Sequence, residues 1–310
     1  MAKNENLHKA KTAKNDEFYT QLSDIEKEMV HYKQHFNGKT VYCNCDDARE
    51  SNFFKYFSLN FEKLGLKKLI TTGYKADGQG VVLIYEGDKN GNRNPDTEEI
   101  TIRPLQGNGD FRSEECIEFL KEADIVVTNP PFSLFREYIA QLMEYGKKFI
   151  IIGSQNAITY KEVFPFIKED KLWLGVSPRS MEFILPNGEK GVVNACWFTN
   201  LEHNKRHRPL DLYKHYSNEY KHYDNYDAIE VGKVCEIPMD YDGVMGVPIT
   251  FLDKYCPDQF EIVGLLSDNR CGYPFINGTP MYTDEKHKNS VCGVLNGKRT
   301  FARILIRHRK

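Results

Sequence analysis

The first half of the chain alternates short β-branched runs with segments whose apolar residues recur at helical spacing. "KTVYCNC", "KKLITTGY", "DIVVTN" and "KKFIIIGS" read as strands, because β-branched side chains suit a pleated, buried surface. "ARESNFFKYFSLNFEKLG" reads as a helix with Phe53, Phe57, Phe61 and Leu64 on one face and Gly65 at its end. "SEECIEFLKEA" and "LFREYIAQLMEY" read as two more helices, with Ser113 and Ser133 as candidate caps and Gly146 as a stop. "GVVLIYEGDKNGNRNPDTEEITIRPLQ" has two β-rich runs around a polar Gly/Asn turn, which predicts a hairpin. Strands alternating with helices predict an α/β fold with a mostly parallel sheet covered by helices. Past about Pro178 the periodicity fades and Gly, Pro, Tyr and basic residues increase. The expected organisation is a basic arm over 1–14, a catalytic domain over 15–177, and over 178–310 the end of the sheet plus an appended recognition region.

Composition narrows the class. With 40% hydrophobic and 28% charged residues, the 310-residue chain matches soluble globular proteins. No apolar run is long enough to cross a bilayer, and the N-terminal stretch lacks an apolar signal core, so a cytoplasmic protein is expected. The eight cysteines then read as reduced thiols. Cys43-x-Cys45 would put both thiols on one face of a strand, which is not a usual zinc spacing, and "HNKRH" lacks the Glu of a metalloprotease helix, so no metal is expected.

Net charge is −2, yet the charge is uneven. No acid follows Glu285, and the arm carries Lys3, Lys9, Lys11 and Lys14. Between them, "HNKRHRPLDLYKHYSNEYKHYDNY" mixes Lys and Arg with five tyrosines. Basic patches with aromatics suit a phosphate backbone and stacked bases, although each patch alone also reads as solvated surface. Lys205, Arg206, Arg208, Lys214, Arg299, Arg303 and Arg307 are the candidate nucleic-acid contacts.

Three predicted strand tips carry chemistry, and ligands of open α/β sheets sit beyond such tips. At the first, Asp46 and Asp47 stand where a phosphate-binding turn would be glycine-rich. Paired carboxylates suit a cationic amine, while helix capping is the plain alternative. At the second, "GNGDF" sets Asn108, Asp110 and Phe111 in a tight turn. An Asp and an aromatic can bind and cover an adenine, or the segment is only a turn. At the third, Asn129-Pro130-Pro131-Phe132 ends a buried strand in two residues that cannot extend it. It is either a turn or a site for an aromatic amine. Such an amine is a poor nucleophile because its lone pair is delocalised. The Asn129 amide oxygen and the Pro130 carbonyl are two stiffly held acceptors that would draw its nitrogen toward tetrahedral geometry. Phe132 could stack on a base that has left its duplex.

The tetrapeptide resembles the motif of S-adenosylmethionine-dependent amino-methyltransferases. "NDEFYTQ", "CNCDDARESNFF", "GNGDF" and "NPPF" follow the motif order of their adenine-specific class. "VYCNCDD", "DIVVTNPPFSLFREY", "ITYKEVF", "YDNYDAI" and "GVMGVPITFL" extend the resemblance, over nearly the whole chain, to the EcoRI-type adenine-specific DNA methyltransferases. The resemblance implies a Rossmann-like methyltransferase sheet with a C-terminal target-recognition region. It implies methylation of N6 of a flipped adenine in duplex DNA, in a restriction–modification context and by a monomer. Carried over, Asn129, Pro130, Pro131 and Phe132 serve catalysis. Phe18, Tyr19, Thr20, Asp46, Asp47, Asn108, Asp110, Phe111 and Asn129 would lie at S-adenosylmethionine. The chain departs from the wider superfamily in having "DDARES" for a glycine-rich turn, and only Thr71, Thr72 and Tyr74 where an acidic ribose ligand is usual. The same tetrapeptide also suits an RNA base or a protein glutamine, and a DNA-binding module without catalysis is a third reading.

Overall fold

The computed structural model describes residues 19–310 apart from 47, 49, 93, 178, 185–189, 268–274, 277–278 and 281–291. The chain forms two compact units that interleave in sequence. Unit 1 draws on Met1–Gln155 and Leu174–His203, and unit 2 on Asn156–Trp173 and Asn204–Lys310. A single cut after Ser177 therefore does not describe the division. The strand Ala195–Thr199 returns to pair with the strand Lys148–Ser154, which carries the segment after Leu174 back into unit 1.

Unit 1 begins with β1 (Tyr19–Thr20) and α1 (Leu22–Met29). Next come β2 (Thr40–Asp46), α2 (Asn52–Leu59), α3 (Phe61–Leu64) and β3 (Lys68–Gly73). The hairpin β4 (Val81–Tyr85) and β5 (Ile100–Pro104) leads to α4 (Glu114–Glu122) and β6 (Ile125–Thr128). Then follow α5 (Phe135–Glu144), β7 (Lys148–Ser154), β8 (Trp173–Leu174), β9 (Met181–Ile184), β10 (Lys190–Val193) and β11 (Ala195–Thr199). One eight-stranded sheet has the order β5-β4-β3-β2-β6-β7-β11-β8, and β1-β9-β10 form a second. The large sheet is parallel at its centre, across β3, β2, β6 and β7. The hairpin and β11 flank that centre with antiparallel pairs.

The central strands are apolar on both sides because both sides are covered. Val41, Cys43, Ile125, Val127, Ile150 and Ile152 share one core with α1 and with Phe53, Phe57, Phe61 and Leu64. On the opposite face Tyr42 meets Phe119, and Phe135 meets Phe198. The predicted long helix over 48–65 is two helices broken at Asn60, with Gly65 left-handed at the end. Ser51 caps α2 and Ser113 caps α4 through backbone N–H groups of Phe53 and Cys116. Ser133 lies inside a 3-10 turn, Phe132–Leu134, and the N-cap position of α5 falls to Leu134 instead.

Glu28 is a fully buried carboxylate on α1. It accepts from the Tyr32 hydroxyl at 2.8 Å and from the backbone N–H groups of Val176 and Ser177 at 2.8 and 2.7 Å. Burial, with the neighbouring carboxylate, holds the Tyr32 phenol far above its ordinary range. Gly175 leaves the room that this approach needs, since a Cβ there would collide with the Glu28 carboxylate.

Unit 2 contains α6 (Phe164–Lys168) and a sheet of β12 (Ile229–Glu230), β13 (Met245–Pro248), β14 (Phe260–Leu266) and β19 (Arg303–His308) in the order β12-β13-β19-β14. Two short hairpins, β15–β16 (Phe275–Ile276, Thr279–Pro280) and β17–β18 (Val294–Leu295, Lys298–Arg299), precede β19. Arg303 forks onto the Glu230 carboxylate at 2.6 and 2.8 Å, and the same carboxylate accepts from Tyr223. Tyr223 comes so close to Gly246 that any Cβ there would strike its hydroxyl.

Two stability outcomes follow from these buried charges. Glu28→Ala leaves three donors in unit 1 without their acceptor and should cost about 3 kcal/mol or more in urea unfolding, with Glu28→Gln milder. Arg303→Ala strands the Glu230 carboxylate and should lower stability by about 3 kcal/mol, whereas replacing the exposed Arg208 should change it by less than about 0.5 kcal/mol.

Candidate active site

The strand order reverses direction at β2: the chain moves from β2 to β3 on one side, then crosses to β6 on the other. Such a reversal opens a crevice at the carboxyl ends of the strands. The ladder between β2 and β6 runs through Val41↔Ile125 and Tyr42↔Val126. Beyond it side chains take over. The Thr128 hydroxyl donates to the Asn44 carbonyl, and the Tyr138 hydroxyl of α5 donates to the Asn44 amide oxygen. All three residues are buried, and burial pushes the Tyr138 phenol well above its usual range. It stays a donor at any ordinary pH.

The end of β2 is irregular. Its register with β3 shifts between Cys43 and Asp46, and Cys45 takes a left-handed φ of 69°. That conformation is uncommon for a side chain other than Gly, Asn or Asp. The expected strand geometry for Cys43 and Cys45 is thereby corrected, because the shift breaks the alternation that would align the two thiols. Asp46 closes β2 opposite Gly73, and Asp47 lies outside the described residues.

The "GNGDF" turn sits on the tip of β3. The Asn108 carbonyl accepts from Lys75 N–H at 2.8 Å, and the Gly107 carbonyl accepts from Gly80 N–H at 2.9 Å. Gly109 has φ 82° and presses on the Gly73 carbonyl, so only glycine fits there. Asn108 accepts from the Asp110 N–H through its side chain. The Asp110 carboxylate is held by Arg112, at 2.9 and 2.7 Å, which lowers its pKa below the ordinary value and keeps it ionised. Arg112 also reaches Glu137 of α5 at 2.8 Å. The buried Phe111 ring stands edge-on to Tyr138 with centroids 5.0 Å apart. One hydrogen-bonded and packed chain thus runs from Asp110 through Phe111 and Tyr138 to Asn44 and Thr128.

Asn129 follows Thr128 directly and is only 9% exposed, and Pro130 is buried. The Pro131 carbonyl accepts from Leu134 N–H, which turns the chain into α5. Phe132 is half-buried, edge-on to Phe183 of β9 with centroids 6.4 Å apart. Phe183 in turn is the strand partner of Thr20, and the Asn52 amide donates to the Thr20 carbonyl at 2.8 Å. So β1 is tied both to the start of α2 and, through Phe183, to the ring of Phe132. Of the remaining N-terminal candidates, Tyr19 is placed in β1 and Phe18 lies outside the described residues.

The basic candidates divide. Arg206 is 6% exposed, stacked 3.7 Å from the centre of the Trp173 ring and paired with Asp170. Arg303 is committed to Glu230, and Arg307 pairs with Glu261 at 2.9 Å. For Arg206 and Arg303 the expectation of phosphate contact is corrected, because burial and a carboxylate partner already use their charge. Arg208, Lys214 and Arg299 are exposed, and Lys205 is half-buried. Of the five tyrosines, Tyr223 and Tyr226 belong to the core of unit 2, Tyr216 stacks with both Tyr220 and Tyr241, and Tyr213 is exposed.

Asn44, Tyr138 and Arg112 were not among the residues singled out in the sequence. A polar Asn44 among buried β-branched positions was the available signal. Tyr138 passes as one more apolar residue of a helix face, since nothing local shows where its hydroxyl ends.

Comparison with known proteins gives the family. The family described as adenine-specific methyltransferase EcoRI matches residues 6–309. The chain is 47% identical to the Type II methyltransferase M.EcoRI of Escherichia coli, over 100% of this chain and 98% of that one. It is 38% identical to the Type II methyltransferases M.MpnI of Mycoplasma pneumoniae and M.MgeORF184P of Mycoplasma genitalium, over 98% and 97% of this chain and 98% of each relative. With the family match running nearly end to end and 47% identity over the full chain, the chain belongs to the EcoRI-type adenine-specific methyltransferases.

Proposed function

We propose that the chain transfers a methyl group from S-adenosylmethionine to N6 of an adenine turned out of duplex DNA, in a restriction–modification setting. The observation that carries this reading is the convergence of Asn129, the end of β2 and the "GNGDF" turn on one crevice of unit 1, joined through Tyr138 and Asn44. The residues present fit the cofactor on one structural point. The Thr20 hydroxyl is buried and has no hydrogen-bond partner among the described residues, beside the helix start that follows β2. Thr20, Tyr19 and Phe18 would pack near the cofactor, and Asp46 and Asp47 would meet its amine. Asn108, Asp110 and Phe111 would hold its adenine, with Asp110 kept as a carboxylate by Arg112. When bound, the cofactor supplies an electrophilic sulfonium methyl group.

The chain's own contribution is to prepare the nucleophile. Asn129 Oδ1 and the Pro130 carbonyl accept the two hydrogens of the adenine amine, which frees its lone pair. Their spacing is fixed before substrate arrives, because the prolines stiffen the backbone and β6 is buried throughout. Phe132, half-buried against Phe183, offers a ring face to the base. Lys205, Arg208, Lys214 and Arg299 contribute phosphate contacts that position the duplex. No helix among the described residues is long and apolar enough to cross a membrane. We further propose that the enzyme is cytoplasmic and acts as a monomer.

Sequencing the DNA of cells that express the protein and lack other adenine methylation tests the reading. N6-methyladenine at one short motif is the expected result, and unmodified DNA with methylated RNA or protein would replace it. Asn129→Ala should cut methyl transfer by at least about 10²-fold while leaving duplex affinity within about threefold. Equal losses in both would remove Asn129 from the chemistry. Lys205→Gln, Arg208→Gln and Lys214→Gln should each reduce the slope of log affinity against log salt by about 1.

A further inference from the structure

We propose that Phe301 is an insertion residue, the ring that this protein wedges between stacked base pairs of duplex DNA. The proposal rests on the DNA reading above and adds to it the element that engages the stack. Phe301 is 88% exposed, the most exposed large apolar side chain among the described residues. A single exposed apolar residue is ordinary, so exposure alone says nothing. Its mounting and its neighbours set Phe301 apart.

The mounting is rigid. Phe301 follows the β17–β18 hairpin, whose two-residue turn, Asn296-Gly297, has positive φ at both positions. That is the turn best matched to the twist of paired strands. Behind the turn, Gly297 N–H donates to the Asp224 carboxylate at 2.7 Å, and Asp224 N–H donates to the Val294 carbonyl at 2.7 Å. The buried Asn225 side chain accepts from Val294 N–H and donates to the Cys292 carbonyl. Thr300, the residue before the ring, uses both its N–H and its hydroxyl on the Gly293 carbonyl. Two residues after the ring, Arg303 is locked onto Glu230. The backbone on both sides of Phe301 is therefore fixed before any partner arrives, which cuts the ordering cost of binding.

The neighbours are cationic. Lys298 and Arg299 are exposed on β18, three and two residues before the ring. A patch for an apolar protein partner would gather further apolar side chains around Phe301. The residues next to it in the chain are Thr300 and Ala302, and the Asp224 carboxylate that reaches the hairpin is taken by Gly297 N–H. A rigidly presented aromatic beside exposed cations matches a duplex, whose phosphates attract the cations and whose base steps accept an apolar wedge.

The test uses the full chain with Phe301→Ala and Phe301→Trp, on closed circular plasmid DNA from cells lacking adenine methylation and on short duplexes cut from it. Because the ring is exposed, Phe301→Ala should melt at the wild-type temperature. It should bind duplex at least about fivefold more weakly with an unchanged salt slope, since a stacked ring carries no charge. Wild-type protein should unwind the plasmid in a topoisomerase relaxation assay, Phe301→Ala should not, and Phe301→Trp should restore unwinding with quenched indole emission. Wild-type unwinding and affinity in Phe301→Ala would overturn the insertion role. So would a lowered melting temperature, which would make the ring part of the fold. If wild-type protein methylates the plasmid in those same outcomes, only the insertion role falls. If it neither binds nor methylates duplex DNA, the function reading falls as well.

Discussion

Everything at the strand tips depends on Asn44. A parallel pair of strands separates where the chain order reverses, and the backbone ladder between β2 and β6 stops two residues short of that point. Asn44 bridges the gap with two different atoms. Its carbonyl takes the Thr128 hydroxyl, and its side-chain oxygen takes the Tyr138 hydroxyl. The first bond sets where β6 ends, hence where Asn129 begins. The second sets α5 against the sheet, and with it the Phe111 ring. Inside a low-dielectric core such bonds are strong when satisfied and costly when one partner is lost. A short buried network therefore fixes the spacing of three motifs that lie far apart in the sequence.

On the proposed reading, rigidity at the tips serves the chemistry. The acceptors for an amine hydrogen act best when they need no rearrangement during reaction. Two prolines remove backbone freedom after Asn129, and a fully buried strand removes it before. The turn on β3 is equally constrained, with Gly109 pressed on the Gly73 carbonyl and Asp110 pinned by Arg112. Arg112 also bonds Glu137, so the turn and α5 keep one spacing.

Unit 2 puts two of its arginines to structural use. Arg206 fills the space beside Trp173, and Arg303 closes a buried pair with Glu230 that also takes Tyr223. Charge that is buried and paired holds an unusual core together and is withdrawn from the surface. The cations left exposed among the described residues include Arg208, Lys214, Lys298 and Arg299.

Much of unit 1 was legible in the sequence. The β-branched runs became β2, β3, β6 and β7, the polar Gly/Asn segment became the turn of a hairpin, and Ser113, Gly65 and Gly146 punctuate helices. These features are local, since period, branching and capping act within a few residues. The tetrapeptide at Asn129 was legible for the same reason. The tertiary structure decided what depends on distant partners. It placed Ala195–Thr199 beside β7 and so interleaved the two units. It broke the long helix at Asn60, moved the start of α5 past Ser133 and put a shifted register at Cys45. It also separated structural arginines from exposed ones. Arg206 and Arg208 are two residues apart and chemically identical, and only the Trp173 ring and the Asp170 carboxylate, brought in from more than thirty positions away, make one of them core.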